Sequence, residues 1–290
     1  MTRMATSRTD TTASALELGR PLSRALAYTT ALLIAAVVIV PVLYVVLGGF
    51  RTTGQIAAKP VDLPHPWRTA NYTEILTSST FWHQLASSLI VAVIATVLVV
   101  GTGALAAFPL SRYQFRAREG LYTLFTLGLL FPVGVAALPL YLLLRRVGLV
   151  DSLIGVALPE AAFGLPITIV VLRPFMRAVP AELEDAAVID GCSRFGFFWR
   201  ILVPLSRPAL TTVSILAFIT SWNYYLLPLL ILNNDRSWTL PLGVAQYASE
   251  YTQDTARILA FTALSMLPAL GFFVLAERRI VGGLSGAVKG

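Results

Sequence analysis

Apolar residues run along this chain in long, uncharged blocks. Five of them meet or approach the roughly 20 residues that a helix needs to cross about 30 Å of hydrocarbon. They are Ala25–Leu47, Ser87–Leu110, Leu121–Leu144, Pro208–Leu232 and Ile258–Ala276. A sixth, Ser152–Leu172, qualifies apart from one carboxylate, Glu160. The pattern predicts an all-α integral membrane protein with six transmembrane helices and both termini on one side. The first apolar block is 23 residues long and ends in Gly48-Gly49-Phe50-Arg51. A cleaved secretory signal has a core of about 7–15 residues and a small-residue cleavage site, so this block reads as an uncleaved span. Residues 1–24 form a polar amino-terminal segment, and residues 25–290 read as one transmembrane domain without an internal repeat.

Composition supports the same class. Of 290 residues, 56% are hydrophobic and 13% charged, against roughly 25% charged in a soluble domain. Mean hydropathy is +0.74. These values exclude an ordinary soluble globule, a disordered chain and a collagen-like repeat. The lone Cys192 excludes a disulfide framework and a cysteine-based zinc site, and reads as a small packing residue. His65 and His83, both in expected outer loops, read as solvated residues and are too few for a metal centre.

The net charge of +7 fits a cytoplasmic face against anionic lipid. No basic stripe with interleaved aromatics points to nucleic acid. With the amino terminus inside, 15 of the 22 Lys and Arg fall in inner segments and seven in outer loops. That bias places both termini in the cytoplasm of a cell-membrane protein, with Arg145-Arg146 as a local contradiction.

The inner loop between spans four and five carries the informative pattern. Pro180 suits the entry to a helix. Glu182, Glu184 and Asp185 put carboxylates at its positive end. Gly191, after Asp190, accepts the left-handed stop conformation. Arg194–Leu202 reads as a second, amphipathic helix, which Pro204 is expected to break. By periodicity alone this is equally a connector lying on the membrane surface.

The spacing Asp185-Ala186-Ala187, Asp190-Gly191, Ile201 and Pro204 resembles the EAA loop of permease subunits in binding-protein-dependent ABC importers. Two positions depart from that family's pattern: Asp185 stands where it prefers Glu, and Cys192 where it prefers Ala. Further likeness to the carbohydrate-uptake (maltose-type, MalG-like) members lies in Ser87–Val91, Ala106–Phe115, Pro139-Leu140-Tyr141, Ser221-Trp222-Asn223 and Gly283–Gly290. Glu277-Arg278-Arg279 departs from the Gln-Arg usual there. The resemblance implies the type I ABC importer permease fold with a cytoplasmic coupling helix between spans four and five. It implies a second permease subunit forming a heterodimer, two cytoplasmic ATPase subunits and an extracytoplasmic sugar-binding protein. It also implies that Glu184, Asp185, Ala186, Ala187, Asp190, Gly191, Ile201 and Pro204 serve coupling to the ATPase. The chain lacks a G-x-x-x-x-G-K-[ST] phosphate loop. It is therefore expected to be no enzyme and to hold no cofactor, ATP and Mg²⁺ being bound by the ATPase partners.

Within the spans, Glu160 is the costly residue, about eight residues or about 12 Å from the outer end of its helix. Asn223 lies at similar depth in the fifth span. The two are expected to line a substrate path, with Trp222 or Tyr225 stacking on a sugar ring of an oligosaccharide or related polyol. The other readings are an interhelical hydrogen bond for Asn223 and an outer-surface position for Glu160. An ion-coupled secondary transporter is the alternative function, but it calls for several intramembrane ionisable groups and often two related halves. An intramembrane enzyme calls for paired catalytic groups inside the spans, and no such pair is present.

Overall fold

The structure, a computed structural model, describes residues 10–248 and 253–287, with side chains described over 26–248 and 253–274. Residues 1–9 of the expected polar segment, and the last residues of the Gly283–Gly290 likeness, lie outside the described residues; so do the side chains of Glu277-Arg278-Arg279.

Helices account for nearly all of the described chain. In order they are α1 (Asp10–Gly48), α2 (Thr53–Ala58), α3 (Ala70–Thr77), α4 (Ser79–Arg112), α5 (Arg118–Gly128), α6 (Val133–Arg146) and α7 (Leu153–Arg177). There follow α8 (Glu182–Ile189), α9 (Arg194–Phe197), α10 (Val203–Leu205), α11 (Arg207–Trp222), α12 (Leu226–Ile231), α13 (Leu240–Gly243) and α14 (Thr255–Ala287). Among the described residues, four helices are long and apolar enough to cross a membrane: Leu26–Gly48, Ser79–Arg112, Leu153–Arg177 and Thr255–Val274. Two bent pairs, Arg118–Gly128 with Val133–Arg146 (98°) and Arg194–Leu205 with Arg207–Trp222 (77°), bring the number to as many as six.

The third and fifth apolar blocks, expected as continuous spans, are each broken. Proline has no N–H to donate, and its ring collides with the carbonyl four residues earlier. Pro132 points that collision at Gly128, where α5 ends; Pro228 points it at Tyr224, in the gap between α11 and α12. Pro139, Pro159, Pro166 and Pro268 sit inside continuous helices. Membrane helices tolerate proline where their surroundings satisfy the freed carbonyls. His83 lies on α4 rather than in a loop, its ring Nδ1 2.6 Å from the Ser79 carbonyl.

Lipid gives no hydrophobic drive for one apolar helix to seek another, so contact depends on close fit between small residues. The α4–α7 pair is built that way. A Cβ at Gly103 of α4 would stand 2.5 Å from Thr168 Cγ2, and one at Gly164 of α7 would stand 3.0 Å from Val99 Cγ2. Gly103→Val is expected to push the helices apart at a cost of about 1–3 kcal/mol, read as a lower midpoint of thermal unfolding in detergent. A Gly103→Val protein as heat-stable as the parent would show that the contact does not hold the pair.

At the end of α4 near Ser79, the loops fold over the helices. Gln84 Nε2 donates to Asp235 O at 3.3 Å, and Ser88 Oγ accepts the Leu240 amide at 2.7 Å. Arg257 pairs with Glu74 at 2.5 Å. Asp151, at φ 58°, accepts the amides of Asn233 and Asn234 at 2.9 and 3.1 Å, fastening the loop before α7 to the chain beyond α12. The opposite end carries α8.

Candidate functional site: an anchored surface helix and a polar cavity

The first turn of α8 holds Glu182, Glu184 and Asp185, where the helix dipole favours negative charge. Its far end closes as glycine allows: Asp190 is the C-cap and Gly191 has φ +77°. The Cys192 amide donates to Ala187 O at 2.8 Å and the Gly191 amide to Val188 O at 3.0 Å, the paired bonds of a Schellman stop. Ser193 then caps α9, accepting the Gly196 amide at 3.1 Å.

Pro204 does not break the second helix. One π turn, Phe198–Leu202, intervenes, and the Val203 amide reaches back to Phe198 O. Pro204 then falls in the first turn of α10, where a missing N–H costs nothing. The bend comes instead at Ser206.

One arginine moors this segment to the end of α4, and a second ties α7 to α4 and α5 beside it. Arg112, the last residue of α4, donates from Nε to Glu184 Oε2 at 2.8 Å and from Nη1 to Val179 O at 2.5 Å. Arg173 of α7 donates from Nε to Leu110 O at 3.0 Å and from Nη2 to Glu119 at 2.5 Å, with its guanidinium 3.8 Å from the centre of the Tyr122 ring. Tyr113 lies 4.9 Å beneath the Arg194 guanidinium. Burial, and next the Glu184 carboxylate, push its phenol up to about 12, so it stays neutral at ordinary pH.

Below these ion pairs lies an apolar layer. Ala187, Phe197, Phe198 and Leu202 are buried against Ala104, Ala107 and Phe108 of α4, Leu172 and Met176 of α7, and Ala209 of α11. Cys192 and Ile201 pack at its margin, partly buried. Thus α8 has two faces. Ala187 is 5% exposed, whereas Ile189 is 85% exposed, and Leu183, Val188, Phe195 and Trp199 are exposed with it. Asp185, Ala186 and Asp190 are on the open side. Glu184, expected to face a partner, is instead half-buried and turned to Arg112, because α4 ends in a cation beneath it.

The second feature is a cavity of about 380 Å³ bordered by α4, the α5–α6 bend, α7 and α11. Glu160 reaches it from α7. Ser221 Oγ donates to Glu160 Oε2, while Oε1 has no partner among the described residues. Thr168, Thr220 and Tyr224 add hydroxyls to an otherwise apolar wall that includes Phe131 and Phe163.

The other three residues expected beside Glu160 are elsewhere. Trp222 is buried among Phe218 and α14, its ring 5.8 Å from that of Phe218 and its Nε1 donating to Ser265 O at 3.4 Å. Asn223 is exposed and donates from Nδ2 to Ile219 O at 2.8 Å, a bond within its own chain segment. Tyr225 is exposed and does not border the cavity. In their place stand Ser221 and Tyr224. The signal for them was helical spacing: Val213, Leu216, Ala217, Thr220 and Ser221 recur at three- and four-residue steps on one face of α11, and Tyr224 follows three positions on, just past its end.

The fold and sequence both have known counterparts. The bacterial ABC transporter involved in the import of the acidic polysaccharide alginate contains a chain that superposes with a TM-score of 0.75, covering 96% of this chain and 99% of that one at 21% identity. At that identity the likeness speaks for the fold. The diacetylchitobiose uptake system permease protein NgcG of Streptomyces coelicolor is 35% identical over 263 residues, 90% of this chain and 87% of that protein. The permease protein DasC of a diacetylchitobiose uptake system in the same organism is 33% identical, covering 90% of this chain and 95% of its own. A family model matches residues 99–280, a stretch that runs from within α4 into α14 and takes in α8 and all of the cavity lining except Ala95. The chain belongs to the family of binding-protein-dependent transport system inner membrane components.

Proposed function

We propose that this chain is one of two permease subunits of an ATP-driven carbohydrate importer. A second, different permease completes the membrane pore, and two ATPase subunits sit on the cytoplasmic side. A sugar-binding protein delivers an oligosaccharide or related polyol to the loops at the Ser79 end of α4. Both termini lie in the cytoplasm, as the arginine distribution favours. ATP and Mg²⁺ belong to the ATPase subunits. The relatives named above support a carbohydrate, and family membership supports import over ion-coupled antiport or symport.

The observation that carries this reading is the two-faced α8: one side anchored by Arg112 and the apolar layer, the other presenting Ile189 and Val188 to water beside the exposed Phe195 of α9. An exposed apolar patch on a rigid base fits a protein partner. Asp185, Ala186, Ala187 and Gly191 shape the docking helix, while Asp190, Ile201 and Pro204 hold it in register. Glu184 acts through Arg112 to position it. In the same reading, Glu160 borders the path of the sugar.

Ile189→Asp places a charge at the centre of the patch. It is expected to lower retention of the ATPase subunit on affinity-purified permease by about tenfold, the size of a lost interface anchor. The parent chain reconstituted alone should show no ATP-dependent uptake of radiolabelled oligosaccharide, with uptake restored by the other subunits. Uptake by the chain alone would overturn the assembly; unchanged retention in both Ile189→Asp and Phe195→Ala would move the docking face elsewhere.

A further inference from the structure

The cavity beside Glu160 holds ionisable side chains of one sign. Among the described residues that line it there is no Lys, Arg or His; Glu160 is the one carboxylate. That side chain is 7% exposed, with one oxygen engaged by Ser221 and the other unpartnered. Three helix ends meet at its wall: the carboxyl ends of α5 at Gly128 and of α11 just past Ser221 present carbonyl oxygens and partial negative charge, and the amino end of α6 at Val133 presents amides. The site is therefore rich in acceptors and provides hydroxyls from Thr168, Thr220 and Tyr224.

We propose that this cavity is an electrostatic filter: it admits neutral hydroxylated sugars and amine-bearing ones, and turns away acidic sugars. The proposal rests on the reading that Glu160 borders the transport path. A sugar hydroxyl or ammonium finds an acceptor in Glu160 Oε1. A uronate or sulfonate meets a carboxyl group in a low-dielectric wall, with no cationic side chain among the described lining residues to offset its charge. Protonating Glu160 does not rescue the acidic ligand, because its own charge is then buried without a counterion. The chemistry of the wall thus narrows the carried class beyond carbohydrate in general, whatever the binding protein delivers.

Thiol labelling of the assembled complex in nanodiscs separates the filter from the path. The chain carries Cys192→Ser to remove the native thiol, and Ala217→Cys to place one on the cavity wall. Two methanethiosulfonate probes of similar size are compared, one ending in trimethylammonium and one in sulfonate, each normalised to its rate with a free thiol. The cationic probe is expected to react about tenfold faster, the low end of what a cleft of one charge sign produces. Glu160→Gln is expected to bring the ratio close to one. Equal rates with Glu160 present would overturn the filter and leave the path reading standing. A cationic preference that survives Glu160→Gln would remove Glu160 as its source and overturn the proposal. Failure of both probes to react, with or without Glu160, would overturn the path reading and the filter together.

Discussion

Arg112→Ala is expected to uncouple the complex: uptake and binding-protein-stimulated ATP hydrolysis fall more than tenfold, while the permease remains in the membrane. Arg112 is the link between the end of α4 and α8. Its guanidinium holds Glu184 at 2.8 Å and the Val179 carbonyl at 2.5 Å, and lies 5.6 Å from the centre of the Phe197 ring. Truncation leaves a half-buried carboxylate without a cation and a carbonyl without a donor. Removing one partner of a fully buried pair costs about 3–5 kcal/mol. The Glu184 side chain is 18% exposed, so water recovers part of that and the low end is expected. Arg112→Lys should restore only part of the activity, since an ammonium keeps the charge but not the planar fork that reaches two acceptors. Transport assays in vesicles check both variants. Parental uptake by Arg112→Ala would show that α8 does not depend on its tie to α4.

Gly191→Val should be nearly as damaging, through backbone conformation rather than contact. No atom lies within 4 Å of where a Cβ would be added, so space is available. The obstacle is the φ of +77°. The left-handed region costs an ordinary residue about 1–2 kcal/mol, and a β-branched one is a genuine outlier there. Relaxing that angle breaks the paired bonds to Ala187 and Val188 and re-aims the chain into α9, drawing Phe197 and Phe198 out of the apolar layer. Uptake is expected to fall by about tenfold or more, a barrier change on the order of 1.4 kcal/mol. Gly191→Asn, whose side chain tolerates this conformation, should keep most of the activity. If asparagine and valine were equally harmful, the backbone explanation would fail and a missing partner contact would replace it.

Different parts of this molecule were legible in the sequence for different reasons. The α8 turn was readable residue by residue, because its carboxylates, its small residues and its glycine stop act over four or five positions. Its orientation was not readable. Glu184 and Asp185 are neighbours of the same charge, and only the arrival of Arg112, 72 positions earlier in the chain, turns one inward and leaves the other open. The Pro204 expectation failed because a π turn absorbed the missing amide. Among the prolines in the apolar blocks, residue type did not separate Pro132 and Pro228, which coincide with breaks, from Pro159 and Pro166, which do not. Near Glu160, attention to the Ser221-Trp222-Asn223 motif picked out neighbours in sequence. Neighbours in space follow the helical step, so Ser221 and Tyr224 reach the cavity while Trp222, one position away, is turned by 100° into the core.

The sequence by itself determined that the chain lives in lipid, how many apolar blocks it has, and where a capped surface helix interrupts them. These follow from local properties, the cost of burying charge and the conformational freedom of glycine and proline, which need no knowledge of distant residues. Only the tertiary structure decided which face of α8 is anchored, where the third and fifth blocks bend, and which hydroxyls share a cavity with Glu160. Those outcomes depend on close approach between helices far apart in the chain, set by small residues such as Gly103 and by Arg112 at the end of α4 and Arg173 in the last turns of α7. Such pairings arise from fit in three dimensions, and no periodicity along one segment encodes its partner.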